Sequence, residues 1–132
     1  MITRVAVALL VVVVALAAYV GWYVYGAWPV PQGYDFPRHS IWGGGPLALF
    51  DGTLILDGSC IRTGTDGATV VWPPGYRLAI VGGEPVVFGG SRGLPMGQRV
   101  RMGGGFYDNP PPTSFDIGDC PAPYFLSTGF ID

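Results

Sequence analysis

The sequence contains no lysine, and only 12% of its residues are charged. All seven basic residues are arginines, spread along the chain without a cluster, and the formal net charge is −2. Nucleic-acid-binding domains normally carry a basic patch. The sequence therefore predicts no nucleic-acid partner.

Histidine and cysteine are also scarce. Two cysteines, Cys60 and Cys120, without a C-x-x-C motif or companion histidines, make a poor metal or redox site. Outside the cytoplasm such a pair is most simply a disulfide, which would stabilise the fold by about 4 kcal/mol. The only histidine, His39, lies in a Pro/Gly-rich stretch, where we expect a solvated linker residue. A catalytic base needs a third group to hold it. No metal, cofactor or catalytic residue is predicted.

Charge is absent altogether from residues 5–34. The apolar part, Val5 to Tyr25, would form a helix of about 31 Å, enough to cross ~30 Å of hydrocarbon. Arg4 is the only basic residue before Arg38, which predicts a cytoplasmic N-terminus and an extracytoplasmic C-terminal body.

A cleaved signal peptide is the alternative, because Ala15-Leu16-Ala17 resembles a cleavage site. The apolar run continues past it and ends in aromatic residues of the kind that lie at a membrane interface: Trp22, Tyr23, Tyr25 and Trp28. These features favour an uncleaved anchor. We divide the chain into a transmembrane signal anchor (1–27), a Pro/Gly-rich extracytoplasmic linker (28–45) and a β-domain (46–132).

The body is predicted to be all-β, because its 22 glycines and 13 prolines mostly separate short β-rich runs. The predicted strands are Pro46–Phe50, Thr53–Leu56, Ser59–Arg62, Ala68–Trp72, Arg77–Val81, Glu84–Phe88, Gln98–Met102 and Tyr124–Thr128. Turns are expected at Asp51-Gly52 and at Gly82-Gly83, the latter a two-residue hairpin signature. Five to seven short strands at this spacing indicate a small OB-like barrel or a sandwich, preceded by one transmembrane helix.

The alternation of polar and apolar residues along a strand predicts which side chains face the core. Arg99 and Arg101 should point outward, and Val100 and Met102 inward. The other core candidates are Leu54, Leu56, Ile61, Val70, Trp72, Leu78 and Ile80. The proline-rich segment Asn109–Ser114 should form an exposed loop.

Four motifs follow one another in the body: Gly52-x-Leu54 leading to Cys60, Val71-Trp72-Pro73-Pro74-Gly75, Gly97-x-x-Val100-x-Met102-Gly103-Gly104-Gly105, and Cys120-Pro121 before a final strand. This order, over residues 46–130, resembles a group of largely uncharacterised bacterial secreted or lipoprotein-like small β-barrel domains. The resemblance implies an OB-like barrel working outside the cytoplasm and brings no catalytic residues. This chain has a membrane span where the lipoproteins have a lipobox cysteine.

The candidate binding residues are Trp72, Tyr76 and Arg77, since an aromatic beside a Pro-Pro-Gly turn with an arginine can form a binding face on such a barrel. The alternative is a core Trp72 with Tyr76 packed over a turn. The remaining polar groups are interpreted as structural: turn residues at Asp51, Asp57 and Asp66 rather than calcium loops, solvated acids at Asp108, Asp116 and Asp119, and a bulge or bend at Gly103-Gly104-Gly105.

These observations predict a non-enzymatic, membrane-anchored extracytoplasmic module that acts by protein interaction. Its partners would be the membrane and another membrane or envelope protein, as in an accessory subunit of an assembly. One alternative is a binding module for a glycan, peptide or lipid headgroup. The other is a small hydrolase that uses Asp116 and Asp119.

Overall fold

The computed structural model describes residues 2–24, 29–41, 48–64, 67–111 and 113–131, with the backbone alone at residues 2 and 22–24.

An N-terminal helix, α1 (Ile2–Val24), precedes the β-domain. Its 23 residues extend about 35 Å at the usual rise per residue. The stretch Thr3–Gly21 is long and apolar enough to cross a membrane, and none of it is buried against the rest of the protein. The predicted apolar helix is therefore confirmed. Such a helix can be an anchor or a signal sequence. The side chains of Trp22, Tyr23, Tyr25 and Trp28, which were predicted to lie at a membrane interface, are outside the described residues.

The rest of the described chain is mostly β. Its strands are β1 (Arg38–His39), β2 (Ala48–Thr53), β3 (Ile55–Asp57), β4 (Cys60–Arg62), β5 (Thr69–Val71), β6 (Tyr76–Val81), β7 (Glu84–Gly89), β8 (Arg92–Pro95), β9 (Arg99–Tyr107), β10 (Ser114–Phe115) and β11 (Tyr124–Phe130). This confirms the predicted all-β body preceded by one apolar helix, and the described part has more strands than the five to seven expected.

The described strands form three sheets. The largest has the order β2-β9-β11-β5-β4-β3, in which only the β11–β5 pair is parallel. A second sheet is the antiparallel run β6-β7-β8, and β1 pairs with β10. The expected hairpin turn is present, with positive φ at Gly82 and Gly83. The expected turn at Asp51-Gly52 is wrong, because β2 continues through both residues and pairs them with Arg101 and Val100.

One hydrophobic core joins the two larger sheets. Its buried members are Phe36, Leu54, Ile61, Ala68, Val70, Trp72, Leu78, Val87, Leu94, Val100, Met102 and Phe125. The alternation predicted for residues 99–102 is confirmed. Two core predictions are wrong: Leu56 is 37% exposed on the edge strand β3, and Ile80 is 43% exposed near the hairpin tip. The hairpin residues 81–84 are all exposed, so burial ends where the turn begins.

The predicted linker is partly wrong, because residues 35–39 belong to the β-domain. The Asp35 N–H donates to the Ser59 carbonyl (2.8 Å), and the Trp72 N–H donates to the Pro37 carbonyl (2.9 Å). Arg38 and His39 are buried and form β1. The domain therefore begins before residue 46, since this segment completes the packing around Trp72.

Two covalent and steric features hold distant parts of the chain together. Cys60 and Cys120 form the predicted disulfide, with Cα atoms 5.7 Å apart, and it ties β4 to the loop after β10. Gly103-Gly104-Gly105 lies within β9, and the register of β11 shifts opposite it, between Ser127 and Gly129. Gly104 has φ +154°, and a Cβ there would overlap the Leu126 carbonyl oxygen. The close approach of β9 and β11 therefore requires glycine at position 104.

Candidate functional site

Trp72, the first predicted binding residue, is fully buried. Its ring stacks on Phe36 (5.6 Å between centroids) and on Tyr76 (5.8 Å), and Phe130 packs edge-on at 6.0 Å. The buried Trp72 Nε1 has no acceptor among the residues that the structure describes. Trp72 thus presents no surface to a ligand, and the core interpretation describes it correctly.

Tyr76 connects the two larger sheets instead of lining a binding face. Its hydroxyl accepts the Phe130 N–H at 2.9 Å, and burial raises the pKa of this phenol. A Cβ at Gly89 or at Gly129 would meet the Tyr76 side chain, so both positions leave room for it. Tyr76 is therefore a packing residue of the join between β6 and β11.

Arg77, the third predicted binding residue, is half-buried, and its guanidinium lies 4.7 Å from the centroid of the Phe88 ring. These two residues are directly opposite each other on β6 and β7. The predicted trio is thus divided among the core, a sheet junction and a half-buried cross-strand contact. The three side chains therefore do not form the predicted binding face, because Trp72 is buried.

His39 was expected in a solvated linker, but it is buried in the domain. Its Nε2 donates to the Ser127 carbonyl oxygen (2.7 Å), while its Nδ1 accepts the Ile41 N–H (3.1 Å). Burial lowers the pKa of this imidazole, and the Ser127 carbonyl opposes the shift. Because both ring nitrogens are engaged, His39 is a structural residue that holds β1 against β11.

The acids form separate structural contacts. Asp51 pairs with Arg99 (2.9 Å), Asp57 with Arg62 (3.4 Å) and Asp116 with Arg38 (3.0 Å). The Arg99 hydrogen bond lowers the pKa of Asp51. Asp108 and Asp119 are exposed, as expected, and Asp66 lies outside the described residues.

Potential metal ligands meet at one point. An Asp35 carboxylate oxygen and the sulfurs of Cys60 and Cys120 all lie within 4.8 Å of one another. The two sulfurs are bonded to each other, so neither is a thiolate that could bind a metal in this state. The group is a disulfide packed beside a carboxylate.

A groove of about 370 Å³ opens beside that disulfide, and sequence analysis did not predict it. We call it the Asp35 groove; its lining residues are Val30, Tyr34, Asp35, Phe36, Asp116 and Gly118. Its two walls come from segments that are far apart in the sequence, the stretch before β1 and the loop after β10. No motif indicates such a meeting, although Cys120 places the second segment near β4.

The Asp35 carboxylate is fixed within the groove. It accepts a hydrogen bond from the Ser59 hydroxyl at 2.6 Å. Gly118, with φ +61°, lies so close that a Cβ there would overlap the carboxylate. The contacts on both sides hold Asp35 in one position at the groove wall.

A buried arginine lies next to the groove. Arg38 donates to the Asp116 carboxylate, and its guanidinium lies 5.9 Å from the centroid of the Phe36 ring and 5.7 Å from that of Phe115. The Asp116 side chain remains 56% exposed. This corner of the protein thus already holds one guanidinium between aromatic rings and a carboxylate.

A second surface lies on the outward face of β2 and β9. Leu49, 50% exposed, is directly opposite Gly103, and the Ile131 side chain would be 3.7 Å from a Cβ at that glycine. Arg99, Arg101 and Asp51 continue the same face. We call Leu49, Gly103 and Ile131 the outer patch. It offers exposed aliphatic area next to charged side chains, a combination common in protein interfaces.

No family model, no curated protein and no solved structure matches this chain. The resemblance of residues 46–130 to small secreted β-barrel domains consequently stays a prediction. The features of the molecule that bear on its function are the helix, the Asp35 groove and the outer patch.

Proposed function

We propose that the protein is a single-span membrane protein whose β-domain lies outside the cytoplasm and binds another membrane or envelope protein. It would act as an accessory subunit of an assembly, by binding and not by catalysis. The polar groups that sequence analysis considered for chemistry support this view. His39 and Asp116 are engaged in hydrogen bonds within the fold, Asp51 pairs with Arg99 at the surface, and Asp119 is exposed.

The main support for the proposal is the N-terminal helix. The stretch Thr3–Gly21 contributes nothing to the core of the β-domain, since none of it is buried. A helix of aliphatic residues exposed on all sides needs an apolar environment that the domain does not supply. A lipid bilayer is the simplest such environment.

The charges and the disulfide support the orientation. Arg4 precedes the span and no other basic residue follows it until Arg38, which favours a cytoplasmic N-terminus. The disulfide between Cys60 and Cys120 is suited to an oxidising compartment. A domain held beside the membrane can meet neighbours in the same membrane, and the outer patch gives it a surface for doing so.

Orientation and retention can be tested together in a bacterial host. Fusing alkaline phosphatase after residue 132 should give an active reporter that stays in the membrane fraction at full length. Cleavage near Ala17 would instead release a shorter protein, and its mass would show this directly. A released reporter contradicts the anchor, and an inactive full-length reporter contradicts the orientation.

Partner binding can be tested by site-specific photocrosslinking in intact cells. A photoreactive residue at Leu49, in the outer patch, should give a discrete adduct with a membrane or envelope protein. The matched control is Val81, an equally exposed aliphatic residue (53% against 50%) in the other large sheet. No adduct from Leu49, or the same adducts from both positions, together with a monomer in mild detergent, would contradict the proposal.

A further inference from the structure

The Asp35 groove has the size of a side-chain pocket. Its volume of about 370 Å³ is near the lower end of the range for small-molecule sites. The half-buried Tyr34 supplies aromatic surface, Val30 supplies aliphatic surface, and Asp35 and Asp116 supply carboxylates. Aromatic faces next to carboxylates attract organic cations.

The two carboxylates of the groove have different partners. Asp116 is paired with Arg38, whereas Asp35 accepts from a neutral donor, the Ser59 hydroxyl. Within the described residues, no ion pair joins Asp35 to a basic side chain. The groove therefore has room for one more positive charge, next to a carboxylate that is already held in position.

Arg38 shows which cation this corner of the protein accommodates. Its guanidinium is held by Asp116 together with the rings of Phe36 and Phe115. The groove offers a similar set, with Asp35 as the carboxylate and the half-buried Tyr34 as the ring. A planar guanidinium suits such a set better than an ammonium, because it can stack on a ring and donate to a carboxylate at once.

The groove also lies near the end of the helix. Val30 is six positions after Val24, so their Cα atoms are within about 21 Å of each other. A zwitterionic lipid headgroup at that distance would bring a phosphate close to Asp35 and Asp116 along with its amine. An arginine side chain carries the cation without that phosphate, so the charges favour a protein.

We propose that the Asp35 groove receives an arginine side chain of the partner protein, with Asp35 as the anion that binds its guanidinium. This inference rests on the proposed function and names the chemistry by which the partner is recognised. Asp35 binds the guanidinium, Tyr34 flanks it, and Gly118 keeps the groove open.

The test uses the full chain in zwitterionic nanodiscs, with acetyl-arginine-amide as the probe. Titration should move the amide resonances of Asp35 and Gly118 in a saturable way, with a Kd on the order of 1–10 mM for a single side chain. Acetyl-citrulline-amide, of nearly the same shape but uncharged, should bind at least tenfold more weakly. Equal binding of the two probes, or shifts away from the groove, overturns the proposal.

Two variants separate the groove from general acidic attraction. Asp35→Asn keeps the shape and can still accept from the Ser59 hydroxyl, and it should weaken the arginine probe at least fivefold. Asp119→Asn removes an exposed charge from the same loop and should change binding less than twofold. Equal weakening by the two variants would mean diffuse attraction and would overturn the site.

Two further experiments test whether a lipid headgroup occupies the groove and whether the groove is needed for partner binding. If ethanolamine headgroups in the nanodisc move the Gly118 resonance while the arginine probe does not, a lipid occupies the groove and the proposal fails. The Leu49 crosslink should drop at least fivefold in Asp35→Asn. If it persists unchanged, the partner binds without the groove: the proposed function stands and this inference fails.

Discussion

The two larger sheets differ in how far apart in the chain their paired strands lie. In β6-β7-β8, each strand pairs with its neighbour in sequence through tight turns. In the six-stranded sheet, β3, β4 and β5 also pair in sequence order, but β2 pairs with β9, and β11 lies between β9 and β5. The smaller sheet therefore depends on local turn chemistry, while the larger one depends on long-range devices, the disulfide and Gly104 above all.

The largest effect should come from removing the disulfide. Replacing Cys60 and Cys120 together with alanine frees a closed loop of about 60 residues and should lower the free energy of unfolding by about 4 kcal/mol. Denaturant unfolding of the full chain in detergent measures this. Hydrogen exchange should show that β4, β5 and β11 lose protection before β6 and β7. A uniform loss of protection would contradict the comparison between the two sheets.

Gly104→Ala should be the next most damaging change. Its Cβ would overlap the Leu126 carbonyl oxygen, so β9 and β11 must separate, at a cost of about 3 kcal/mol. The matched control is Gly83→Ala in the β6–β7 turn, where φ is +82° but the space is open. Only backbone strain remains there, about 1 kcal/mol. Similar midpoints for the two variants in thermal unfolding would refute the assignment of a long-range role to Gly104.

Tyr76→Phe tests the junction between the two sheets. The Phe130 N–H would lose its acceptor, which should cost about 1 kcal/mol of unfolding free energy. Tyr107→Phe, at the end of β9, serves as the control and should cost less than about 0.5 kcal/mol. If both variants unfold like the unmodified protein, the Tyr76 hydroxyl does not contribute to the junction.

The smallest effect concerns pH and His39. Burial holds the folded-state pKa of His39 below its ordinary value of 6.5, so the unfolded chain binds a proton first as the pH falls. The contribution of the neutral imidazole is complete above pH 6.5 and is progressively lost below it. Unfolding free energies at pH 7 and pH 5 should therefore differ slightly, and the difference should vanish in His39→Gln.

That pH window isolates His39 from the carboxylates. The pKa of Asp51 is lowered by its hydrogen bond from Arg99, so its own contribution is lost only below about pH 3.8. A pH effect that persists in His39→Gln would show that another group is responsible.

Sequence analysis was most accurate for structural features that depend on residues close together in the chain. The apolar helix follows from a long uncharged run, and the β6–β7 hairpin follows from Gly82-Gly83 between two short β-rich runs. Buried Val100 and Met102 follow from strict alternation with two arginines. In each case, the residues that decide the structure are close together in the chain.

The errors arise where distant segments meet. The prolines and glycines near His39 in the sequence predict a solvated side chain. In the structure, the distant Ser127 carbonyl accepts a hydrogen bond from its ring. The Asp51-Gly52 pair predicts a turn, but its pairing with Arg101 and Val100 on the neighbouring strand keeps it extended. The Asp35 groove forms only because residues 30–36 and 116–118 pack side by side. Local propensity contains no information about such partners.

The central position of β11 has a consequence for biosynthesis. β11 is made after all the other described strands, yet it separates β9 from β5 in the middle of the six-stranded sheet. That sheet cannot assemble while β11 is still inside the ribosome, whereas the β6–β7 hairpin can form earlier. The emerging chain therefore stays largely unfolded until late in synthesis. This is the state that a chain threaded through a protein-conducting channel requires.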